Sequence, residues 1–164
     1  MKTQTILGVD TNPKTVKGNK LGITTGIVYL APSDESGVAN TCPNASKGCR
    51  AACLYTAGRG GMSNVQQARV NKTKNFFSNK SQWIAQLRQE IKKETKKASK
   101  KFNQFVVRLN GTSDIAWEET GIIDAEKETQ FYDYTKRSKR MLAFLDNKLP
   151  ENYHLTFSRS ENND

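Results

Sequence analysis

The sequence predicts an α/β protein with a parallel sheet, or part of a (βα) barrel, of about four strands. Three observations support this prediction. Short apolar, β-branched segments alternate with longer amphipathic ones, which is the pattern of βαβ units. A long loop that contains all three cysteines follows the first of these strands. Polar clusters come directly after each strand, where parallel α/β folds bind their ligands.

Length and composition are typical of one globular domain, but the charge is unevenly distributed. The chain has 164 residues, of which 35% are hydrophobic and 26% charged, and its formal net charge is +10. Residues 66–108 contain twelve basic side chains and two acidic ones, whereas residues 111–133 contain seven acidic side chains and one lysine. We therefore expect a basic surface in one region and an acidic rim in another.

The cysteine content and the N-terminus indicate a cytoplasmic protein. No apolar run approaches the ~20 residues that a membrane helix needs, and the N-terminal MKTQTILGVD lacks the apolar stretch of a secretory signal. Thiols stay reduced in the cytoplasm, and an odd number of cysteines argues against a disulfide framework. Three cysteines within twelve residues therefore indicate a metal site or a reactive site.

The first elements surround the cysteine loop. Residues 1–20 are polar and rich in lysine, which predicts a flexible N-terminal arm ahead of a single α/β domain over 21–164. The run LGITTGIVYLAP (21–32) predicts a buried strand that ends at a proline. The loop over 33–61 is rich in Ser, Asn, Gly and Pro, and a loop of this length inside a small domain is usually functional or disordered. Its cysteines favour a functional role.

Two helices are predicted after the loop, over 63–77 and 81–101. Ser81 is a suitable N-cap for the second helix. Apolar residues at three- and four-residue steps form the buried face of that helix. They are Ile84, Leu87, Ile91, Ala98 and Phe102. The opposite face carries Lys92, Lys93, Lys96, Lys97, Lys100 and Lys101.

The remainder of the chain alternates between strands and helices. Segments 104–109, 130–134 and 152–158 predict strands, and segments 119–129 and 136–148 predict helices. The carboxyl ends of parallel strands meet at one edge of a sheet, so the polar residues that end the strands should line one pocket. These candidates are Asn110, Ser113, Asp114, Asp133, Lys136, Ser158, Arg159 and Glu161.

One of these candidates, Asp133, lies inside the short apolar strand FYDY. A carboxylate in a buried strand requires a partner. Arg159 or Lys136 can supply a positive charge for it. No catalytic residue can be assigned among the pocket candidates from the sequence.

The cysteines follow the spacing C-x6-C-x3-C at Cys42, Cys49 and Cys53. Three thiolates on one loop can hold three irons of a 4Fe–4S cluster and leave the fourth iron open to another ligand, and we favour this interpretation. Zinc is an alternative, for which His154, the one histidine of the chain, can supply a fourth ligand. Three buried cysteines without a metal are the third interpretation.

Four motifs resemble a phage and plasmid family called gene product 88. They are CPNASKGCRAACLYTAGR, RLNGTSDIAWE, FYDYTK and NYHLTFSRSE, and the resemblance covers about residues 20–162. The cysteine loop also looks distantly like that of radical S-adenosylmethionine (SAM) enzymes, which carry three cysteines after the first strand of a partial (βα) barrel. The resemblance implies an iron–sulfur cluster at the three cysteines and SAM at its open iron. It also implies a host-cell cytoplasmic location.

The sequence departs from radical SAM enzymes in three features. Their loop usually reads C-x3-C-x2-C, a GGE-type segment follows their second strand where this chain has NGTSD, and their barrel has more strands than the four predicted here. We therefore expect a chain that is truncated relative to its family. An incomplete parallel sheet exposes an edge, which predicts a homodimer or capping by the N-terminal arm.

The alternative function is that of a non-catalytic basic protein that binds nucleic acid or a host nucleoprotein. Its anionic partner would contact the six lysines of the second predicted helix, because neutralising phosphates releases counterions. No aromatic side chains alternate with those lysines, so the pattern does not indicate a platform for base stacking. The cysteines would then bind a structural metal or no metal.

Overall fold

The computed structural model describes residues 4–161, and residues 1–3 and 162–164 lie outside the described part. The described chain forms one five-stranded sheet with six α-helices. The strands are β1 Leu7–Val9, β2 Ile23–Val28, β3 Gln104–Arg108, β4 Gln130–Thr135 and β5 Tyr153–Phe157. The helices are α1 Pro13–Asn19, α2 Lys47–Ala51, α3 Ser63–Ser78, α4 Lys80–Ser99, α5 Ile122–Ala125 and α6 Ser138–Leu145.

The strands follow one another across the sheet in chain order. β1 pairs antiparallel with β2, and the pairs β2–β3, β3–β4 and β4–β5 are all parallel. At least one helix lies in the connection between the strands of each parallel pair. The predicted α/β class is therefore confirmed, with a sheet that is mostly parallel and has one antiparallel strand that was not predicted. No strand within residues 4–161 pairs with the outer edge of β5, so an exposed sheet edge lies there.

The sheet has one strand more than we predicted, because β1 is too short to produce a readable pattern. It lies in the segment 1–20, which was expected to be a flexible arm and which also contains α1. The backbone N–H groups of Ile6 and Leu7 donate to the carboxylate of Glu90 on α4, at 2.9 and 2.8 Å to Oε2. Residues 1–3 of the predicted arm lie outside the described residues.

Helices α3 and α4 supply much of the core on one face of the sheet. Leu87, Ile91 and Ala98 are buried as predicted, and Trp83, which the helical pattern missed, is buried beside them. The prediction for Phe102 is wrong, since this side chain is 97% exposed. Phe102 lies three residues beyond the end of α4 at Ser99, and its backbone has a left-handed φ of 59°. It is therefore not part of the buried face of the helix.

Aromatic residues of the core join helices α3 and α4 to the segment that follows β3. Phe76 packs edge-on against Trp83, with ring centroids 5.0 Å apart, and Trp83 stacks on Trp117 at 5.8 Å.

The helix predicted over 119–129 is shorter, because Gly121 adopts a left-handed φ of 73° between the 3-10 turn Trp117–Thr120 and α5. Among the described helices, none has the length and apolar composition needed to cross a membrane.

Candidate functional site

A cavity of about 370 Å³ opens at the carboxyl ends of the parallel strands. The loop after β2 forms one wall and contributes all three cysteines, and the segments after β3, β4 and β5 form the others. Seven of the eight predicted pocket residues line it: Asn110, Ser113, Asp114, Lys136, Ser158, Arg159 and Glu161. The eighth, Asp133, does not. Arg108 and Tyr134 also line the cavity but were not predicted, because each lies within a strand and outside the polar clusters.

The cysteine loop is anchored to the core at its first turn. Thr41 is buried and donates from Oγ1 to the carbonyl of Ala31 at 2.7 Å. The N–H of Ala31 in turn donates to Oγ1 of Thr73 on α3 at 2.9 Å. The backbone N–H of Asp114 donates to the carbonyl of Thr41 at 2.8 Å, which ties the loop to the segment after β3. These bonds fix the backbone on the N-terminal side of Cys42.

Helix α2 positions the other two cysteines and was not predicted. Ser46 is its N-cap and accepts from the N–H of Cys49 at 3.0 Å, and Cys53 follows the helix by two residues. The carboxylate of Glu161 accepts from the N–H of Gly48 at 2.9 Å. Hydrogen bonds from Ser46 and Gly48 lower the pKa of Glu161. The end of the described chain is thereby tied to the cysteine-bearing helix.

The three thiols share the cavity but do not form a single-ion site. All three are half-buried and free of disulfides. The thiol of Cys42 donates to the carbonyl of Thr112 at 3.6 Å, and burial raises the pKa of this thiol. Within residues 4–161, no three His, Cys, Asp or Glu side chains are arranged to hold one metal ion.

His154 is not part of the cavity. It lies near the amino end of β5, where its exposed ring packs edge-on against Phe144 with centroids 5.1 Å apart. The cavity lies at the opposite, carboxyl end of the strands. The structure therefore does not bring this histidine to the thiols as a fourth zinc ligand.

Arg69 packs the far end of the cysteine loop against α3. Its guanidinium lies 5.0 Å from the ring centroid of Tyr29 and 5.7 Å from that of Tyr55. The loop turns tightly here, since a Cβ on Gly60 would lie 2.5 Å from the carbonyl oxygen of Leu54. The Nη1 atom of Arg69 is buried and has no hydrogen-bond partner among the described residues. Stacking on two aromatic rings holds this cation in place.

Asn110 organises the turn that follows β3. Its Oδ1 accepts hydrogen bonds from Ser113 Oγ at 2.8 Å and from Trp117 Nε1 at 2.9 Å. It also accepts from the N–H of Ile115 at 3.0 Å. This one amide therefore fixes the backbone of NGTSD and joins the cavity wall to the aromatic core.

Asp133 lies in the interior, next to the cavity wall. It is 1% exposed and accepts from the N–H of Asn110 at 2.7 Å and from the hydroxyl of Tyr153 at 2.9 Å. Lys136, one of the two partners that we expected for it, donates instead to Ser158. Burial raises the pKa of Asp133 to about 7.

A buried ion network lies between this carboxylate and the cavity. Arg140 is 4% exposed and donates to both carboxylate oxygens of Glu118 at 2.8 Å and to Oδ1 of Asp114 at 2.7 Å. It also donates to the hydroxyl of Tyr153 at 2.8 Å. The other oxygen of Asp114 accepts from the N–H of Lys136 at 2.9 Å. The sequence did not indicate Arg140 as a site residue, because its partners Glu118 and Asp114 lie 22 and 26 residues away in the chain and no local pattern connects them.

The lysines of α4 form a separate surface. Lys92, Lys93, Lys96, Lys97 and Lys100 line a shallow groove together with Gln89, and Lys101 lines a neighbouring groove between α4 and β1. Two of the lysines lie near acidic side chains. Lys97 is 2.6 Å from Glu94, and Lys92 is 3.9 Å from Glu126.

Comparison with known proteins assigns the chain to a family. The sequence model of the family described as gene product 88 matches residues 4–164. Neither the curated proteins nor the solved structures contain a match to the chain. Because the family match covers nearly the whole length, this protein is a member of the gene product 88 family.

Proposed function

We propose that the protein holds an iron–sulfur cluster at Cys42, Cys49 and Cys53 and acts, in the manner of a radical SAM enzyme, on a small molecule in the adjoining cavity. One observation carries the proposal. Three free, half-buried thiols from one loop line the same cavity as polar side chains from the ends of three parallel strands.

The donor set is of the kind that a 4Fe–4S cluster uses. In such a cluster each thiolate binds a different iron, and Cys42, Cys49 and Cys53 supply three thiols from one loop. Such a cluster would supply a one-electron redox centre with one iron open to a further ligand, for which we propose SAM.

The winding of the sheet supports the same proposal. Strands β2 to β5 are parallel, lie in chain order and are separated by helices, which is the winding of one part of a (βα) barrel. Barrel enzymes place their sites at the carboxyl ends of the strands, where this cavity lies. Polar residues of this chain that would contact the bound molecule include Ser113, Lys136 and Ser158.

The test is anaerobic reconstitution of the wild-type protein with iron and sulfide, alongside three single variants, Cys42→Ser, Cys49→Ser and Cys53→Ser. The wild type should show a broad absorption band at about 400 nm that changes when SAM is added, and each variant should lose most of it. His154→Ala is the matched control and should retain the band. Stoichiometric zinc without iron, or loss of the band in the histidine variant alone, would contradict the proposal.

A second candidate function is suggested by the lysines of α4. Five of them surround one groove, so an extended polyanion such as duplex DNA could contact several at once. The test compares DNA binding of the wild type with that of a triple variant, Lys92→Glu, Lys96→Glu and Lys100→Glu. The affinity should fall steeply with salt in the wild type and be lost in the variant. A salt slope near zero would contradict this function.

A further inference from the structure

Cationic side chains from three strand ends line the cavity beside the cysteines. Arg108, Lys136 and Arg159 reach it from the ends of β3, β4 and β5. Two carboxylates, Asp114 and Glu161, also belong to the lining. The charge that a ligand meets in the cavity depends on whether these carboxylates already form hydrogen bonds or salt bridges with other groups of the protein.

Both carboxylates are engaged by the protein itself. Asp114 accepts from Arg140 at 2.7 Å, from the hydroxyl of Thr135 at 2.9 Å and from the N–H of Lys136 at 2.9 Å. The buried guanidinium of Arg140 shares its single positive charge between Asp114 and Glu118. Glu161 accepts from the N–H of Gly48 at the start of α2. Neither carboxylate forms a salt bridge with Arg108 or with the side chain of Lys136.

Arg108 is held in position by contacts other than salt bridges to the described residues. Its guanidinium lies 4.8 Å from the ring centroid of Tyr134, and its Nε donates to the carbonyl of Asn110 at 3.1 Å. Neither contact uses the terminal nitrogens Nη1 and Nη2, which form no hydrogen bond with another residue in the range 4–161. A guanidinium fixed in this way loses little conformational freedom when it binds a carboxylate or a phosphate.

Lys136 supplies a second oriented cation. Its Nζ donates to the hydroxyl of Ser158 at 2.7 Å, and this partner is neutral. No carboxylate in the described part of the chain lies within salt-bridge distance of this Nζ. The cavity is thus lined by two positioned cations, Arg108 and Lys136, that form no salt bridge with a carboxylate of residues 4–161.

We propose that this cavity binds the anionic group of a small molecule, a carboxylate or a phosphate, between Arg108 and Lys136. The proposal rests on the proposed function in one respect, which is that the bound molecule is taken to be the substrate of the reaction beside the cysteine loop. A volume of about 370 Å³ accommodates a metabolite-sized anion. Arg108 provides a planar fork for two oxygens, and Lys136 provides a point charge.

The test is an NMR titration of the isotope-labelled, iron-free protein with inorganic phosphate and, separately, with acetate, at constant ionic strength. The backbone amides of Gly111, Thr112 and Lys136 should shift saturably with one of the two anions. The preferred anion identifies the source as a phosphorylated or a carboxylated molecule. Shifts that do not saturate, or that are equal with added chloride, would overturn the proposal.

Variants assign the binding to the two cations. Arg108→Gln and Lys136→Gln should each weaken binding of the preferred anion by about tenfold or more. Arg108→Lys keeps the charge but not the fork, and should weaken it less than Arg108→Gln. Lys139→Gln, an exposed change on α6, is the matched control and should bind as the wild type does. Unchanged affinity in both glutamine variants, with a well-dispersed spectrum, would overturn the proposal.

The anion site and the cluster can fail separately. The titration is repeated on the variant in which Cys42, Cys49 and Cys53 are all replaced by serine, which cannot hold the cluster. If this variant binds the anion as the wild type does while reconstitution of the wild type yields no iron, only the proposed function fails. If the cluster forms but neither anion binds, only the anion site fails.

Discussion

The Nη1 atom of Arg140 lies 2.7 Å from Oδ1 of Asp114, and both residues are buried. Asp114 belongs to the cavity wall, whereas Arg140 lies on α6 and also contacts Glu118 and Tyr153. This ion pair therefore joins the cavity wall to the core.

Removal of Arg140 should be strongly destabilising. Arg140→Met leaves the carboxylates of Asp114 and Glu118 without their buried partner, and breaking such a pair costs about 3–5 kcal/mol. The measurement is the free energy of unfolding in urea. Lys139→Met changes the neighbouring exposed residue on the same helix and should alter stability by less than about 0.5 kcal/mol. Similar effects of the two substitutions would contradict the network.

Asp133 should make stability depend on pH in a defined window. Burial raises the pKa of this carboxyl to about 7 in the folded protein, whereas an unfolded aspartate has a pKa of about 3.9. Between these values the unfolded chain has lost a proton that the folded protein retains. The contribution of Asp133 to stability is therefore complete below about pH 4, falls as the pH rises to about 7, and is constant above that.

The variant Asp133→Asn isolates this effect, because it cannot titrate. Within the window, the stability of the wild type relative to the variant should fall by about 1.4 kcal/mol per pH unit. The measurement is urea unfolding of both proteins at several pH values between about 4 and 8. Parallel curves for the two proteins would show that the carboxyl does not titrate in this range.

Thr41 should be required to hold the cysteine loop. Thr41→Val keeps the shape of the side chain but leaves the buried carbonyl of Ala31 without its donor, at a cost of about 1–3 kcal/mol. Thr41→Ser keeps the hydroxyl and should recover most of that stability in urea unfolding. Thr56→Val removes an exposed hydroxyl bonded to Cys53 and serves as the control. Equal stability of the Val and Ser variants at position 41 would contradict the role of this hydrogen bond.

Glu161 should protect the start of α2 from solvent exchange. In Glu161→Ala the N–H of Gly48 loses its acceptor, so hydrogen–deuterium exchange at this amide should become several-fold faster. Glu151→Ala removes another exposed glutamate and should leave the exchange unchanged. If the two variants exchange alike at Gly48, the carboxylate does not hold the helix.

The parallel part of the fold could be read from the sequence because its elements carry strong local patterns. The run at 21–32 and the segment QFVVRL are continuous apolar, β-branched stretches bounded by turn residues, and they form β2 and β3. β1 has three residues and α2 has five, which is too short for a periodic pattern to show. Their positions depend on partners distant in sequence, such as Glu90 for β1.

The cavity could be predicted in part for a related reason. Parallel strands place their carboxyl ends together, so seven polar residues after those strands share one cavity with the cysteines. The direction of each side chain could not be predicted. Asp133 lies on the strand itself and points to Tyr153 in the core, and Arg108 is held at the cavity by stacking on Tyr134. Such contacts between side chains on different strands cannot be predicted from the local sequence.

The most direct test of the central claim is the amount of iron, acid-labile sulfide and zinc per chain in protein purified without oxygen. The account predicts about four irons and about four sulfides per chain. It also predicts that this iron falls to near zero when Cys42, Cys49 and Cys53 are replaced by serine. Protein that contains no iron after reconstitution, or one zinc in its place, would contradict the claim that these three thiols hold a cluster.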